Sequence, residues 1–211
     1  MRTPEEAARY ALNHLKEKGA DAAAVLAAHS TLHELNAQNG VFSLLRTTHD
    51  TSIALTVIKD QKHGLIAVND LSDEAIDAAI DDCLQAAAAT EPDPAWALCD
   101  TPNEKRFENV SALDLDRLLS RTQELLDTIK RDYPLVSIEN VTSEYVSKES
   151  CYLNTYGVHY DERKAYYGVS LSFLGKRGDK ASGFLYSSAL TRDLDRPFIA
   201  LGDIRAQLES A

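Results

Sequence analysis

His33-Glu34 is the one His-Glu pair in the sequence. Metal-assisted hydrolysis needs two neutral imidazoles on one face, a third ligand, and a glutamate beside the open position where a metal-bound water sits. A His-Glu-x-x-His helix would put its second histidine at position 37, and a His-Glu-x-x-x-His helix at position 38. Those positions hold Ala37 and Gln38, so neither motif is present. His29 and His33 stand four apart in a segment with strand patterning, beside Thr31. Two readings stay open for them: a pair of candidate metal ligands, or ordinary strand histidines.

The other histidines, His14, His49, His63 and His159, occur singly at expected helix-surface or turn positions, and spacing alone assigns no Ser/His/Asp or Cys/His set. Cys83, Cys99 and Cys151 are odd in number, far apart and without CxxC pairing, which predicts reduced thiols. Asp77, Asp81 and Asp82 alternate with Ile76, Ile80 and Leu84 and read as the wet face of a helix. Gly175-Lys-Arg-Gly178 lacks the spacing of a phosphate-cradling loop.

Eight of the nine tyrosines lie between Tyr133 and Tyr186. Tyr152, Tyr156, Tyr160, Tyr166 and Tyr167 suit two roles, packing on a half-buried sheet or gripping a peptide or a second subunit. In the second role, an extended peptide would pair with an exposed strand edge.

The net charge of -11 would repel a phosphate backbone, which argues against direct nucleic-acid binding. The one basic cluster, Lys176, Arg177 and Lys180, reads as a solvated hairpin turn. No run approaches the roughly 18 apolar residues of a membrane span, and the chain opens into an amphipathic helix instead of a signal-peptide core. The expectation is a cytoplasmic protein without membrane contact.

The elements that must carry these residues are signposted locally. Thr3 and Glu6 form a capping box around Pro4, and Gly19 closes a helix whose buried stripe is Ala8, Ala11, Leu12 and Leu15. Residues 21–69 turn to period two, with Gln38-Asn39-Gly40 suited to a type I′ hairpin. Ser72, Asp73 and Glu74 start a second helix with Ile76, Ile80, Cys83, Leu84 and Ala87 on one face. Residues 91–110, rich in proline around Trp96, read as a linker. Leu115, Leu118, Leu119, Thr122, Leu126 and Ile129 predict a third helix, strands follow to Leu190, and a last helix is expected from about Asp195-Arg196-Pro197 to the end.

The order repeats, with Gly40-Val41 matching Gly157-Val158 at an offset of 117 and Gly64-Leu65 matching Gly183-Phe184 at 119. The expected fold is therefore α+β: two tandem helix, antiparallel meander, helix units related by duplication, at 1–90 and 111–211.

Lys18-Gly19-Ala20-Asp21-Ala22, Gln38-Asn39-Gly40, Asn69-Asp70-Leu71-Ser72, Ala89-Thr90-Glu91-Pro92-Asp93-Pro94, Leu153-Asn154-Thr155-Tyr156-Gly157 and Thr191-Arg192-Asp193-Leu194 follow one another along the chain. In this order they resemble the TldD/PmbA family, also known as modulators of DNA gyrase. Leu153 stands where the family usually has serine. The resemblance is to the amino-terminal half of a PmbA-type chain, and it implies a cytoplasmic peptidase system of homo- or heterodimeric subunits acting on peptides. In that system zinc belongs to the catalytic subunit and lies on a His-Glu-x-x-x-His helix in the later half. The expectation is thus a non-catalytic scaffold with no cofactor of its own, and a chain that ends inside a helix as a fragment would. The alternative is a non-enzymatic interaction or regulatory module, as the gyrase-modulator name suggests.

Overall fold

The computed structural model describes residues 2–211. It is an α+β fold with the order α1 (Pro4–Glu17), β1 (Ala22–Gln38), β2 (Val41–Lys59), β3 (Lys62–Val68), α2 (Asp73–Ala88), β4 (Asn103–Asn109), α3 (Leu115–Asp132), β5 (Val136–Asn154), β6 (Val158–Arg177), β7 (Lys180–Ala181), β8 (Leu185–Thr191) and α4 (Ile204–Glu209). Hydrogen-bonded neighbours run β3-β2-β1-β5-β6-β4, and β7 and β8 also pair with β6. The β2/β3, β6/β7 and β6/β8 pairs are antiparallel. β4 is parallel to β6, with Asn103 opposite Val158 and Asn109 opposite Lys164.

These elements form where local chemistry directs them. Thr3 Oγ1 accepts from the Glu6 amide at 3.2 Å, and the Thr3 amide donates to Glu6 Oε2 at 2.8 Å, completing the capping box. Gly19, at φ 79, lets the chain leave α1 through the left-handed region. Asn39 and Gly40 have φ of 51 and 77, as a two-residue I′ turn requires. Ser72 Oγ caps α2 by accepting from Ala75 N.

The chain forms two compact units. The first comprises Met1–Ser30, His49–Asn109 and Lys148–Lys164, and the second Thr31–Thr48, Val110–Ser147 and Ala165–Ala211. This partition differs from the sequential one expected at 1–90 and 111–211. The reason is strand length: β1, β2, β5 and β6 have 17, 19, 19 and 20 residues. A 14-residue helix such as α1 spans only about 21 Å, the reach of six or seven strand residues. Each long strand therefore gives one segment to each core.

In the first unit, Ala7, Ala8, Ala11, Leu12 and Leu15 of α1 and Ile76, Ala79, Ile80, Cys83 and Ala87 of α2 pack with Val25, Ile53, Leu55 and Val57. Each fully buried Leu or Ile there contributes about 1.5–3 kcal/mol. In the second, Leu118, Leu125, Leu126 and Ile129 of α3 pack with Tyr145, Tyr167, Leu171, Phe173, Phe198, Ile204 and Leu208.

Four expectations need correction. Residues 103–109 of the expected linker are strand β4. Leu115 and Leu119, counted in the apolar repeat that predicts α3, are exposed and not part of its packed face. The single last helix is instead a 3-10 turn at Phe198–Ala200 and the short α4, with Gly202 at φ 51 between them. Finally, Gly40 and Gly157 both occupy turns between two long strands, but Gly64 and Gly183 are not equivalents: Gly64 lies in β3 against α2, while Gly183 lies in the β7–β8 connection with open space around it.

Candidate functional site

The His33-Glu34 pair does not fit a hydrolytic zinc site. Both residues lie on β1, where adjacent side chains point to opposite faces. Glu34 is buried and paired with Arg46 Nη2 at 2.9 Å, so it is not poised over a water. His33 Nδ1 is 2.9 Å from Thr47 Oγ1, and its ring rests against Tyr145 with centroids 6.1 Å apart. His29 is half-buried in the first unit and His33 belongs to the second. Four residues of strand separate their backbones by about 13 Å, several times the span of a shared ion's ligands.

The tyrosines divide similarly. Tyr152 and Tyr160 are half-buried in the first unit and stack with ring centroids 6.1 Å apart at 23°. Tyr156 is exposed in the β5–β6 turn. Buried Asn154 pins that turn, its Oδ1 accepting from Tyr156 N and Val158 N at 3.0 Å and its Nδ2 donating to Cys99 O at 2.8 Å. In the second unit Tyr166 is half-buried. Tyr167 is 2 % exposed, donates its hydroxyl proton to Ala112 O and accepts from Asp114 N at 2.8 Å. Tyr167 therefore packs and anchors the start of α3.

What the fold does bring together is Cys151, His159 and Asp161, all in the first unit. Cys151 Sγ, a ring nitrogen of His159 and a carboxylate oxygen of Asp161 lie within 4.8 Å of one another. His159 and Asp161 are two apart on β6 and so share a face. Their Nε2 and Oδ2 atoms are 3.1 Å apart, yet Nε2 is buried and has no aligned hydrogen-bond partner. The parallel β4 supplies the flanking charges: Glu104 sits opposite His159, with Oε1 3.8 Å from Nδ1, and Arg106 sits opposite Asp161, with Nε 3.3 Å from Oδ2.

Beside this cluster is a cavity of about 270 Å³ lined by residues including Thr3, Glu5, Arg106, Cys151, Asp161 and Arg163. Burial, reinforced by the Asp161 carboxylate, pushes the Cys151 thiol up to about 12. Burial also tends to raise Asp161, but its interactions with Cys151, His159 and Arg106 outweigh that and hold this carboxyl below its usual value. Cys151 is thus a protonated thiol at neutral pH, not a thiolate nucleophile. Cys83 is likewise buried, and burial raises it to about 11.

The spacing of single residues does not point to this cluster, because its members come from two strands. The hairpin did carry a signal. Counting outwards from Thr155-Tyr156-Gly157 puts position 151 across from 161, and His159-x-Asp161 is a same-face pair. The flanking charges were hidden because Asn103-Glu-Lys-Arg-Phe-Glu-Asn has no apolar alternation.

Residues 23–89 match the family profile described as PmbA/TldA metallopeptidase domain 1. No curated protein matches the chain in sequence. Among solved structures, TldE from Thermococcus kodakarensis superposes with a TM-score of 0.79 at 18% identity, covering 97% of this chain and 46% of that one. A protein from Bacteroides thetaiotaomicron, described as a candidate modulator of DNA gyrase, gives 0.75 at 18%, covering 100% and 50%. One from Thermotoga maritima with a similar description gives 0.71 at 12%, covering 96% and 46%. The chain spans about half the length of these structures, and at such identities they bear on the fold alone. Residues 23–89 thus carry the first-domain profile of the PmbA/TldA metallopeptidases, within a chain whose fold is shared with these structures.

Proposed function

We propose that this chain is the amino-terminal scaffold of a TldD/PmbA-type metallopeptidase system, forming walls of a substrate chamber and contacts to a second subunit while zinc is held elsewhere in the assembly. The observation that carries this reading is the match of residues 23–89 to a metallopeptidase first domain. The strand setting of His33-Glu34, with Glu34 committed to Arg46, supports a chain that does not hydrolyse peptides alone. An extended peptide would add to a sheet edge, with exposed Tyr156 among the side chains offered to it. A cytoplasmic setting agrees with this role, and among the described residues no helix is long and apolar enough to cross a membrane.

The test is a zinc-supplemented assay on unfolded peptides, with and without a TldD-type subunit. Turnover is expected only with the partner; chelator-insensitive turnover by the isolated chain would defeat the proposal. A second reading, a regulatory module for a basic protein, draws on the net charge of -11 and on the gyrase-modulator description of two structural neighbours. Stable binding to a basic protein, with none to a peptidase subunit, would favour it.

A further inference from the structure

We propose that Cys151, His159 and Asp161 form a binding site for a zinc-class divalent ion within the first unit, distinct from any peptidase metal and independent of the peptidase reading. The three side chains offer one sulfur, one imidazole nitrogen and one carboxylate oxygen, a donor set suited to a borderline-soft ion. A tetrahedron built on bonds of about 2.0–2.3 Å has edges of roughly 3.3–3.8 Å. The 3.1 Å between His159 Nε2 and Asp161 Oδ2 is already close to such an edge. The widest separation, within 4.8 Å, needs to close by about 1 Å, a shift within reach of side-chain torsions.

Two further observations point to a ligand. His159 Nε2 is a buried nitrogen without an aligned hydrogen-bond partner, a costly arrangement unless something else satisfies it. The adjoining cavity, lined by Cys151 and Asp161, gives an ion a way in and leaves room for a water as fourth ligand. Arg106, the cation now nearest Asp161, is 74% exposed and can swing into solvent when a metal takes the carboxylate. Glu104, beside His159 Nδ1, is placed to hold the imidazole once it turns towards the metal. Binding replaces the Cys151 S–H bond with a sulfur–metal bond and releases that proton to solvent, with no change of oxidation state.

The test uses the whole chain, stripped with chelator and titrated with cobalt(II) and then cadmium(II). The expected result is one ion per chain, with tetrahedral cobalt bands and a thiolate-to-metal charge-transfer band that survive Cys99→Ser. Cys151→Ser should abolish the charge-transfer band and weaken binding by about 100-fold or more, beyond the 10–100-fold typical of outer-shell changes. Asp161→Asn should keep the thiolate band while lowering affinity. Circular dichroism verifies that each variant is folded. Absence of a thiolate band in the wild-type chain, or its persistence in Cys151→Ser, would overturn the assignment.

Discussion

Gly64 of β3 meets Cys83 of α2 so closely that a Cβ on Gly64 would stand 2.2 Å from the Cys83 carbonyl oxygen, and 2.9 Å from Ala87 N. Both obstacles are backbone atoms of a packed helix and cannot rotate away. Gly64→Ala should therefore cost about 3 kcal/mol, the upper end of overpacking effects. Gly183→Ala, with no atom within 4 Å of the new methyl group, should stay within about 0.5 kcal/mol. Urea unfolding reads both, and equal midpoints for the two variants would refute the close packing of β3 on α2.

Tyr167→Phe separates packing from anchoring. The ring stays in the second core, but the bonds to Ala112 O and from Asp114 N disappear. A loss of about 1–3 kcal/mol is expected, because two partly buried backbone groups lose their partner. A variant as stable as the parent would show that the start of α3 does not depend on this hydroxyl.

Arg46→Ala leaves the buried Glu34 carboxylate without its cation. Arg46 is itself 55% exposed, so the expected cost is about 1–3 kcal/mol and not that of a fully buried pair. Adding Glu34→Gln should recover part of the loss; a double variant that merely sums the single effects would mean the two residues are uncoupled.

Glu144 gives a pH signature. Burial, with the nearby Glu34 charge, raises its carboxyl above the ordinary value of 4.5. The folded state then binds this proton more tightly than the unfolded state. Its contribution is fully present below about pH 4.5 and is lost as pH rises through the folded value. Glu144→Gln should flatten that part of the stability profile and raise stability at neutral pH relative to the parent; an unchanged profile in denaturant titrations across pH would contradict the shift.

How much of this was legible in sequence depended on how local each signal was. The Thr3-Glu6 capping box, the Asn39-Gly40 turn and the Ser72 cap involve residues within four positions of one another, and each stands as read. β4 was not legible, because it pairs with residues some 55 positions away and presents almost no buried face. Leu119 shares the apolar repeat that predicts α3, yet it is exposed, since periodicity marks a face without fixing how much of it a partner covers. The Cys151, His159 and Asp161 cluster needed a register across a hairpin, whereas His29 and His33, matched by spacing, lacked the geometry.

The interleaving of segments in the two units also bears on how the chain reaches its fold during synthesis. The first unit begins with α1 but is completed only by residues 148–164 of the β5–β6 hairpin. As the chain emerges, the apolar stripe of α1 and the inner faces of β2 and β3 must wait for those residues. At about 5–20 residues per second the interval after residue 109 lasts several seconds. During it, an incomplete sheet edge is open to mispairing. A nascent chain of this architecture is thus a candidate client for chaperones that shield unpaired strands, and its folding rate should reflect late, long-range closure more than the speed of its helices.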